Sequence, residues 1–361
     1  MPLFCHFAYV FFALGQLCGN IIERSAPLVV YVFKTGEKRN YKIKKCFFRY
    51  GTPFFAALVP KIKEKHVFPL LFSHFFVYLQ GKTQSLMQAL YISRIEIDSL
   101  WQGHKHVMWQ LRPGVNVLSG RNGAGKSTIL NCIINHLQSL PGHAALIPNE
   151  QPNGVRLEFE PREATAIRYD IVRSFDRQLI KIDNILNNTE IKIRTELDWQ
   201  LYQLQRRYLD YQVNIGNRMI ALLTSGDSTA QQQAAEAARQ KTLFQDMVDK
   251  MFAETGKQID RSSNELRFIQ YGETLPPYLL SSGEKQLLII LLTALTQDLQ
   301  PCVFFMDEPE ASLHFEWQKS LLQMVSRLNP NAQIILTTHS PAVIMDGWHD
   351  CVTEVEDIVK S

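Results

Sequence analysis

Eight residues, Gly120-Arg-Asn-Gly-Ala-Gly-Lys126-Ser127, put three glycines, an ammonium and a hydroxyl into one short stretch. A glycine-rich backbone can turn successive N–H groups inward, and such a nest of donors suits the oxygens of a polyphosphate. An apolar run that reads as a strand, Val115–Leu118, precedes it, and a helical pattern over Ser127–Leu140 follows. The helix therefore brings its positive N-terminal end to the same point. In that setting Lys126 reaches the β- and γ-phosphates of a nucleoside triphosphate, and Ser127 offers its hydroxyl to Mg²⁺. Gly120, Asn122, Gly123, Gly125, Lys126, Ser127 and Thr128 are the candidate ATP-binding residues. A chance glycine-rich turn would lack this strand–loop–helix context.

Three further segments carry groups that such a site needs. Cys302-Val-Phe-Phe-Met-Asp307-Glu308 is an apolar run ending in two carboxylates. A continuous apolar run reads as a buried parallel strand, and ligands bind beyond the C-terminal ends of such strands. Asp307 is placed to hold Mg²⁺ through water, and Glu308 to polarise an attacking water. On its own, Asp-Glu-Pro is also an ordinary polar turn; the phosphate loop is what favours chemistry. Leu280-Ser-Ser-Gly-Glu-Lys-Gln286 precedes an apolar helix, where Ser281 reads as an N-cap and Glu284 sits favourably in the first turn. Thr337-Thr-His339-Ser340 follows the apolar run Ile334–Leu336.

Taken together and in this order, the segments resemble the ABC ATPases. Leu280–Gln286 is similar to the signature motif of that family, with Ser282 where a second glycine is usual. Glu310-Ala-Ser-Leu-His314 resembles the D-loop, and His339 the switch histidine. The resemblance implies ATP and Mg²⁺ as cofactors, with Lys126, Glu308 and His339 as the catalytic set. It also implies that the signature of one subunit completes the site of another: Ser281 and Gly283 would meet the γ-phosphate in trans and His339 in cis. The wording around these motifs is closer to the RecF/SMC/Rad50-like and overcoming-lysogenisation-defect (OLD) type ATPases than to transporters. About 155 residues separate Lys126 from Ser281, room for a helical insert. The chain ends about 20 residues after His339, so no C-terminal Toprim nuclease is expected. The glutamine-loop residue is open between Gln151 and Gln178.

The elements that must position these groups follow the pattern of an α/β phosphate-loop ATPase, a mixed sheet flanked by helices. Tyr91–Ile97 alternates apolar and polar side chains; Val107–Leu111 and Val115–Leu118 are short strands around the turn Arg112–Gly114. Further strands are expected at Val155–Phe159, Ile167–Ile171, Ile191–Arg194, Glu265–Gln270, Cys302–Met306 and Gln333–Thr337, with helices at Gly283–Gln297 and Ser312–Leu328. Leu197, Leu201, Leu204, Tyr208, Tyr211 and Ile215 step by four and three, which predicts a packed helix. With a second helix over Gln231–Phe252, residues 196 to about 256 form an inserted helical lobe.

Composition divides the chain at about residue 87. Residues 1–86 carry 12 Lys+Arg against 3 Asp+Glu and hold 13 of the 21 phenylalanines, whereas the remainder is net acidic. The basic balance therefore gives no reason to expect a nucleic-acid surface on the ATPase. Met87 directly precedes the first strand of the core, so the first 86 residues read best as an artefact of start-site choice, with a poorly ordered tail or a partner-binding extension as alternatives. Apolar runs such as Phe7–Leu14 and Phe68–Leu79 fall short of the roughly 20 residues a membrane helix needs. Six scattered cysteines show no metal spacing and fit a reduced, cytoplasmic protein.

The expectation is an ATPase that closes as an ATP-dependent homodimer and acts in DNA repair, DNA maintenance or anti-phage defence, with DNA or an effector protein as partner. The alternatives are the ATP-binding subunit of an ABC transporter and an ATP sensor with little turnover.

Overall fold

The computed structural model describes residues 32–35, 40–43, 87–101, 104–140, 145–146, 154–174, 193–225 and 227–360. The chain forms two compact units, residues 1–84 and 85–361. In the first, Val32–Thr35 (β1) pairs antiparallel with Asn40–Ile43 (β2).

In the second unit, Tyr91–Leu100 (β3) and Lys105–Gln110 (β4) form an antiparallel hairpin with Ile95 opposite Trp109. Val115–Ser119 (β5) then runs into the glycine loop and the helix Lys126–Ser139 (α1). Ala145–Leu146 (β6) pairs with Ala166–Ile167 (β8), while Val155–Glu160 (β7) lies antiparallel to β3 and Tyr169–Arg173 (β9) enters the parallel sheet. Glu196–Thr224 (α2) and Ala230–Phe252 (α3) pack on one another.

Lys257–Ile259 (β10), Phe268–Gln270 (β11) and Glu273–Leu275 (β12) form a small antiparallel sheet. The buried helix Ser282–Thr296 (α4) leads to Cys302–Asp307 (β13), Phe315–Leu328 (α5) and Ala332–Thr337 (β14). After the short helix Pro341–Ile344 (α6), the chain closes with Val352–Glu354 (β15), Val355–Ile358 (α7) and Val359–Lys360 (β16).

The fold is α/β, as expected, and its parallel and antiparallel strands fall mainly in two sheets. One is wholly parallel, in the order β15-β5-β14-β13-β9; the other is antiparallel, in the order β16-β4-β3-β7. Helix α1 packs between them. Ile129, Ile133 and Leu137 share one core with Ile92, Ile95 and Trp109 of the antiparallel sheet and with Phe305 and Ile335 of the parallel one. Gln333 joins the sheets through a polar link. Its side chain accepts from Ile92 N (2.8 Å) and donates to the carbonyls of Ile92 (2.8 Å) and Arg112 (2.9 Å). A buried amide so fully paired sets the register of β14 against β3.

A second core lies on the far side of the parallel sheet, where α4 is apolar nearly all round, as a central helix must be. The heptad positions Leu197 to Ile215 on α2 are all buried there against α3 and α4. Thr195 starts α2 with a capping box. Its hydroxyl accepts from Asp198 N (3.3 Å), and the Asp198 carboxylate accepts from Thr195 N (3.2 Å).

Several expected boundaries differ. The helix expected from Ser312 begins at Phe315, with His314 at its N-cap position, because the residues before it are taken up in turns. The strand expected over Glu265–Gln270 is only Phe268–Gln270, within the three-stranded sheet. Ile167–Ile171 divides between β8 and β9. Of Ile191–Arg194, residues 191–192 lie outside the described residues and 193–194 form no strand. Gln151, Gln178, Phe7–Leu14 and Phe68–Leu79 also lie outside them. Among the described residues no helix is long and apolar enough to cross a membrane.

Candidate functional site

The C-terminal ends of β5, β13 and β14 are adjacent in the parallel sheet, with Asp307 beside Thr337 and Thr337 beside Leu118. Strand order therefore brings together segments almost two hundred residues apart. From β5 the chain turns through Gly120, Gly123 and Gly125, at φ values of 153°, 81° and 98°. Those are backbone conformations that glycine adopts cheaply and other residues resist. Gly125 is the N-cap of α1 with no side-chain cap, which leaves the first N–H groups of that helix to the loop's interior. The Lys126 ammonium folds over the loop, donating to the carbonyls of Gly120 (2.9 Å) and Arg121 (3.2 Å).

Ser127 and Asp307 meet directly: Ser127 Oγ donates to Asp307 Oδ1 at 2.9 Å. The same oxygen accepts from Thr337 Oγ1 at 2.5 Å. A hydroxyl and a carboxylate oxygen so placed fit the ligand set of a hard divalent cation. Asp307 is also held through its main chain, since its carbonyl accepts from Ser174 Oγ (2.7 Å) and Ser174 Oγ accepts from the buried Gln286 amide (3.2 Å).

Glu308 adopts a left-handed backbone, φ 46°, uncommon for a residue with a side chain. Its N–H donates to the carbonyl and hydroxyl oxygens of Thr337, both at 3.1 Å. That turn points Glu308 toward His339, whose Nδ1 lies 3.4 Å from Glu308 Oε1. Strained backbone at a polar site of this kind is retained where the side chain has a task.

Ser119–Asn122, His339 and the carboxylates of Glu354 and Glu356 line an open cleft of ≈ 770 Å³ beside the loop. Glu354 and Glu356 arrive because β15 adds to the edge of the parallel sheet next to β5, setting Glu354 opposite Ser119. On the other flank, Trp101 leans over Gly125. A Cβ built there would lie 2.3 Å from the indole, so only glycine lets the ring approach this closely.

The signature residues are engaged elsewhere. Ser281 caps α4: its N and Oγ both donate to Glu284 Oε2 at 2.9 Å, and its Oγ accepts from Glu284 N. A Cβ on Gly283 would lie 2.4 Å from the Ser312 carbonyl oxygen, so this glycine is needed for the close approach of α4 to the loop after Glu308. Lys257 and Thr255 also bind Glu284, and Lys285 pairs with Asp198 at 2.8 Å. Burial pushes the Glu284 carboxyl upward in pKa, but the bonds from Lys257, Ser281 and Thr255 outweigh it and hold the net value below the usual range. Among the described residues, no hydrogen bond or ion pair joins Ser281 or Gly283 to the phosphate loop of the same chain.

The structure thus gathers Gly120, Asn122, Gly123, Gly125, Lys126, Ser127, Thr128, Asp307, Glu308 and His339 at one end of the parallel sheet. Ser281 and Gly283 are engaged with Glu284 and with the loop after Glu308 instead. Sequence reasoning did not single out Trp101, Ser174, Glu354 or Glu356, and each depends on a long-range pairing with no local pattern to reveal it.

A family model described as "AAA domain, putative AbiEii toxin, Type IV TA system" matches residues 166–346, half of the chain. That span takes in the signature segment, Asp307–Glu308 and His339. The chain belongs to this AAA domain family. Membership makes this domain an ATPase at the level of the family.

Among curated proteins, the AAA protein is 26% identical over 178 residues to the "Retron Vc95 probable ATPase" of Vibrio cholerae serotype O1 biovar El Tor, a match covering 45% of this chain and 34% of that one. It is 28% identical over 145 residues to a "Putative ABC transporter ATP-binding protein" of Caldanaerobacter subterraneus, covering 37% and 23%. The matches thus span 34% of the first relative and 23% of the second.

Among solved structures, the Smc head bound to the C-winged helix domain of ScpA aligns over 71% of this chain and 92% of its own, at 14% identity and a TM-score of 0.40. The SMC head domain from Thermotoga maritima aligns over 70% and 91%, at 16% identity and a TM-score of 0.33.

Proposed function

We propose that this AAA protein is an ATP-driven switch, in which two copies close head to tail around two nucleotides and hydrolysis reopens them. The observation that carries the reading is the split of the site. The phosphate loop, Asp307, Glu308 and His339 converge, while Ser281 and Gly283, at the N-terminal end of α4, make no hydrogen bond to that loop among the described residues. A second copy would supply that end to the γ-phosphate.

In this reading Gly120, Asn122, Gly123, Gly125 and Thr128 cradle the phosphates, and Lys126 neutralises charge at the β,γ-bridge. Ser127 and Asp307 would hold Mg²⁺, which supplies charge neutralisation at the phosphate oxygens when bound. Glu308 takes the proton of the attacking water as its oxygen bonds to the γ-phosphorus and the bond to the bridging oxygen breaks, releasing ADP and phosphate. His339 orients that water and the γ-phosphate from beside Glu308. Trp101 offers a flat apolar face next to the loop on which the nucleobase can lie. The ATPase is contained in residues 87–361, with the lobe 196–256 passing the motion to DNA or an effector partner. Likeness to a retron ATPase favours a role in defence or DNA maintenance over the runner-up, the ATP-binding subunit of a transporter, which the second curated relative supports.

Mixing tests the split site. Lys126→Ala and Ser281→Arg proteins should each be nearly inactive, and a mixture should regain activity because one of the two sites in a mixed dimer is intact. If the mixture stays as inactive as its components, the head-to-tail site is wrong.

A further inference from the structure

We infer that Glu310 is a positioning residue for His339, its buried carboxyl fixing the end of β14 against the loop that follows Glu308. The inference rests on His339 acting in turnover as proposed above.

Glu310 is 3% exposed and sits three residues beyond Asp307. Its Oε1 accepts from the Thr338 hydroxyl and from the His339 N–H (3.3 Å), so a single oxygen holds the Thr338 side chain and the His339 main chain. His339 Nδ1 is 3.8 Å from that same oxygen and 3.4 Å from Glu308 Oε1. The imidazole therefore lies near two carboxyl groups, one partly exposed and assigned to the reacting water, the other sealed in protein.

The clamp continues on the C-terminal side. Ser340 Oγ donates to Gln318 Oε1 (2.7 Å), and the Gln318 amide donates to the carbonyls of Glu310 (3.4 Å) and Leu313 (2.9 Å). Residues 338–340 are thus tied at both ends to the loop 308–313, while the imidazole itself remains half exposed.

Two features favour a positioning task over simple packing. Glu310 Oε2 is buried with no hydrogen-bond partner among the described residues, an arrangement that proteins avoid where an apolar side chain would serve. Burial pushes the Glu310 carboxyl upward in pKa against the opposing bonds from Thr338 and His339, which favours its neutral form. A neutral acid still offers Oε1 as acceptor, and so does the amide of glutamine. The clamp consequently needs an acceptor at this point rather than a charge.

The test is a double-mutant cycle on the full chain, read as steady-state ATPase with melting temperature as the folding control. Glu310→Ala should lower kcat about tenfold and leave KM for ATP within about twofold, because it loosens a group that acts in the transition state. Glu310→Gln should stay within about twofold of the parent. On a His339→Ala background, Glu310→Ala should add less than about a twofold further loss. Thr338→Val, which removes one donor to Oε1, should show the same dependence on His339 with a smaller loss, and it serves if Glu310→Ala does not fold.

Losses that multiply in the double variants, or a Glu310→Gln protein as slow as Glu310→Ala, overturn the inference while leaving the catalytic reading intact. A His339→Ala protein with the parent kcat overturns the reading of His339, and this inference with it.

Discussion

The phosphate-loop corner and the signature corner are built on different physics. At the phosphate loop, position comes from the parallel sheet: three strand ends in register, left-handed backbone at the glycines and Glu308, and short bonds among Ser127, Asp307 and Thr337. At the signature, position comes from charge. Lys285 is paired with Asp198 at the first turn of α2, and Lys257 after α3 is paired with Glu284, all four side chains nearly buried. The phosphate loop is positioned by the sheet, whereas the signature is tied both to the helical lobe, through Lys285–Asp198, and to the sheet side, through Gly283 and Gln286. In the proposed switch, nucleotide would bind the half positioned by the sheet, and the signature of a second copy would arrive with the lobe to which Lys285–Asp198 ties it.

Matched lysine substitutions are the sharpest way to break this contrast. Lys126→Ala should cut turnover about 100-fold or more, the scale of losing a principal transition-state donor, with little change in melting temperature. Lys285→Met should instead strand the Asp198 carboxylate and destabilise the fold by roughly 3–5 kcal/mol, measured by urea unfolding. If Lys285→Met melts like the parent, the charge account of the signature corner is wrong.

A smaller effect is expected at Trp101. Trp101→Ala should raise KM for ATP roughly tenfold, since base–aromatic stacking contributes about 1–3 kcal/mol, and should leave kcat nearly unchanged. An unchanged KM would remove the indole from the nucleotide site.

The smallest effect distinguishes two buried glutamates by pH. Glu310 has a raised folded-state pKa, so its contribution to stability is fully present below the unfolded value of about 4.3 and is lost as pH rises through the folded value. Glu310→Gln should therefore melt higher than the parent at pH 7, by a margin that shrinks toward zero as pH falls toward 4. Glu284, depressed by its partners, behaves oppositely: its stabilisation is present at neutral pH and lost on acidification through its folded value. A Glu284→Gln protein should fall below the parent at pH 7 and approach it in acid. Melting curves across pH 4–8 check both, and parallel curves for the two variants would contradict the assignment.

What could be read from the sequence was what is local. The four-and-three spacing from Leu197 to Ile215 is a property of one helix, and every one of those side chains is buried. The glycine loop and the Asp307–Glu308 pair were legible because each strand–loop junction carries its own chemistry in a few residues. The partition into a parallel and an antiparallel sheet was not, since β5 and β4 look alike as short apolar runs and only their partners differ. Glu354 and Glu356 reach the cleft through a three-residue strand too short to show a period. Lys285 and Asp198 are 87 residues apart, and nothing in either segment names the other. Ser281 was legible as a cap, and its bonds to Glu284 confirm that role.

The central claim is that ATP closes two copies around shared sites. Glu308→Gln should bind ATP and stop before hydrolysis, so light scattering with ATP and Mg²⁺ should give the mass of a dimer, and the mass of a monomer without nucleotide. A Glu308→Gln protein that binds ATP and keeps a monomer's mass would contradict the account.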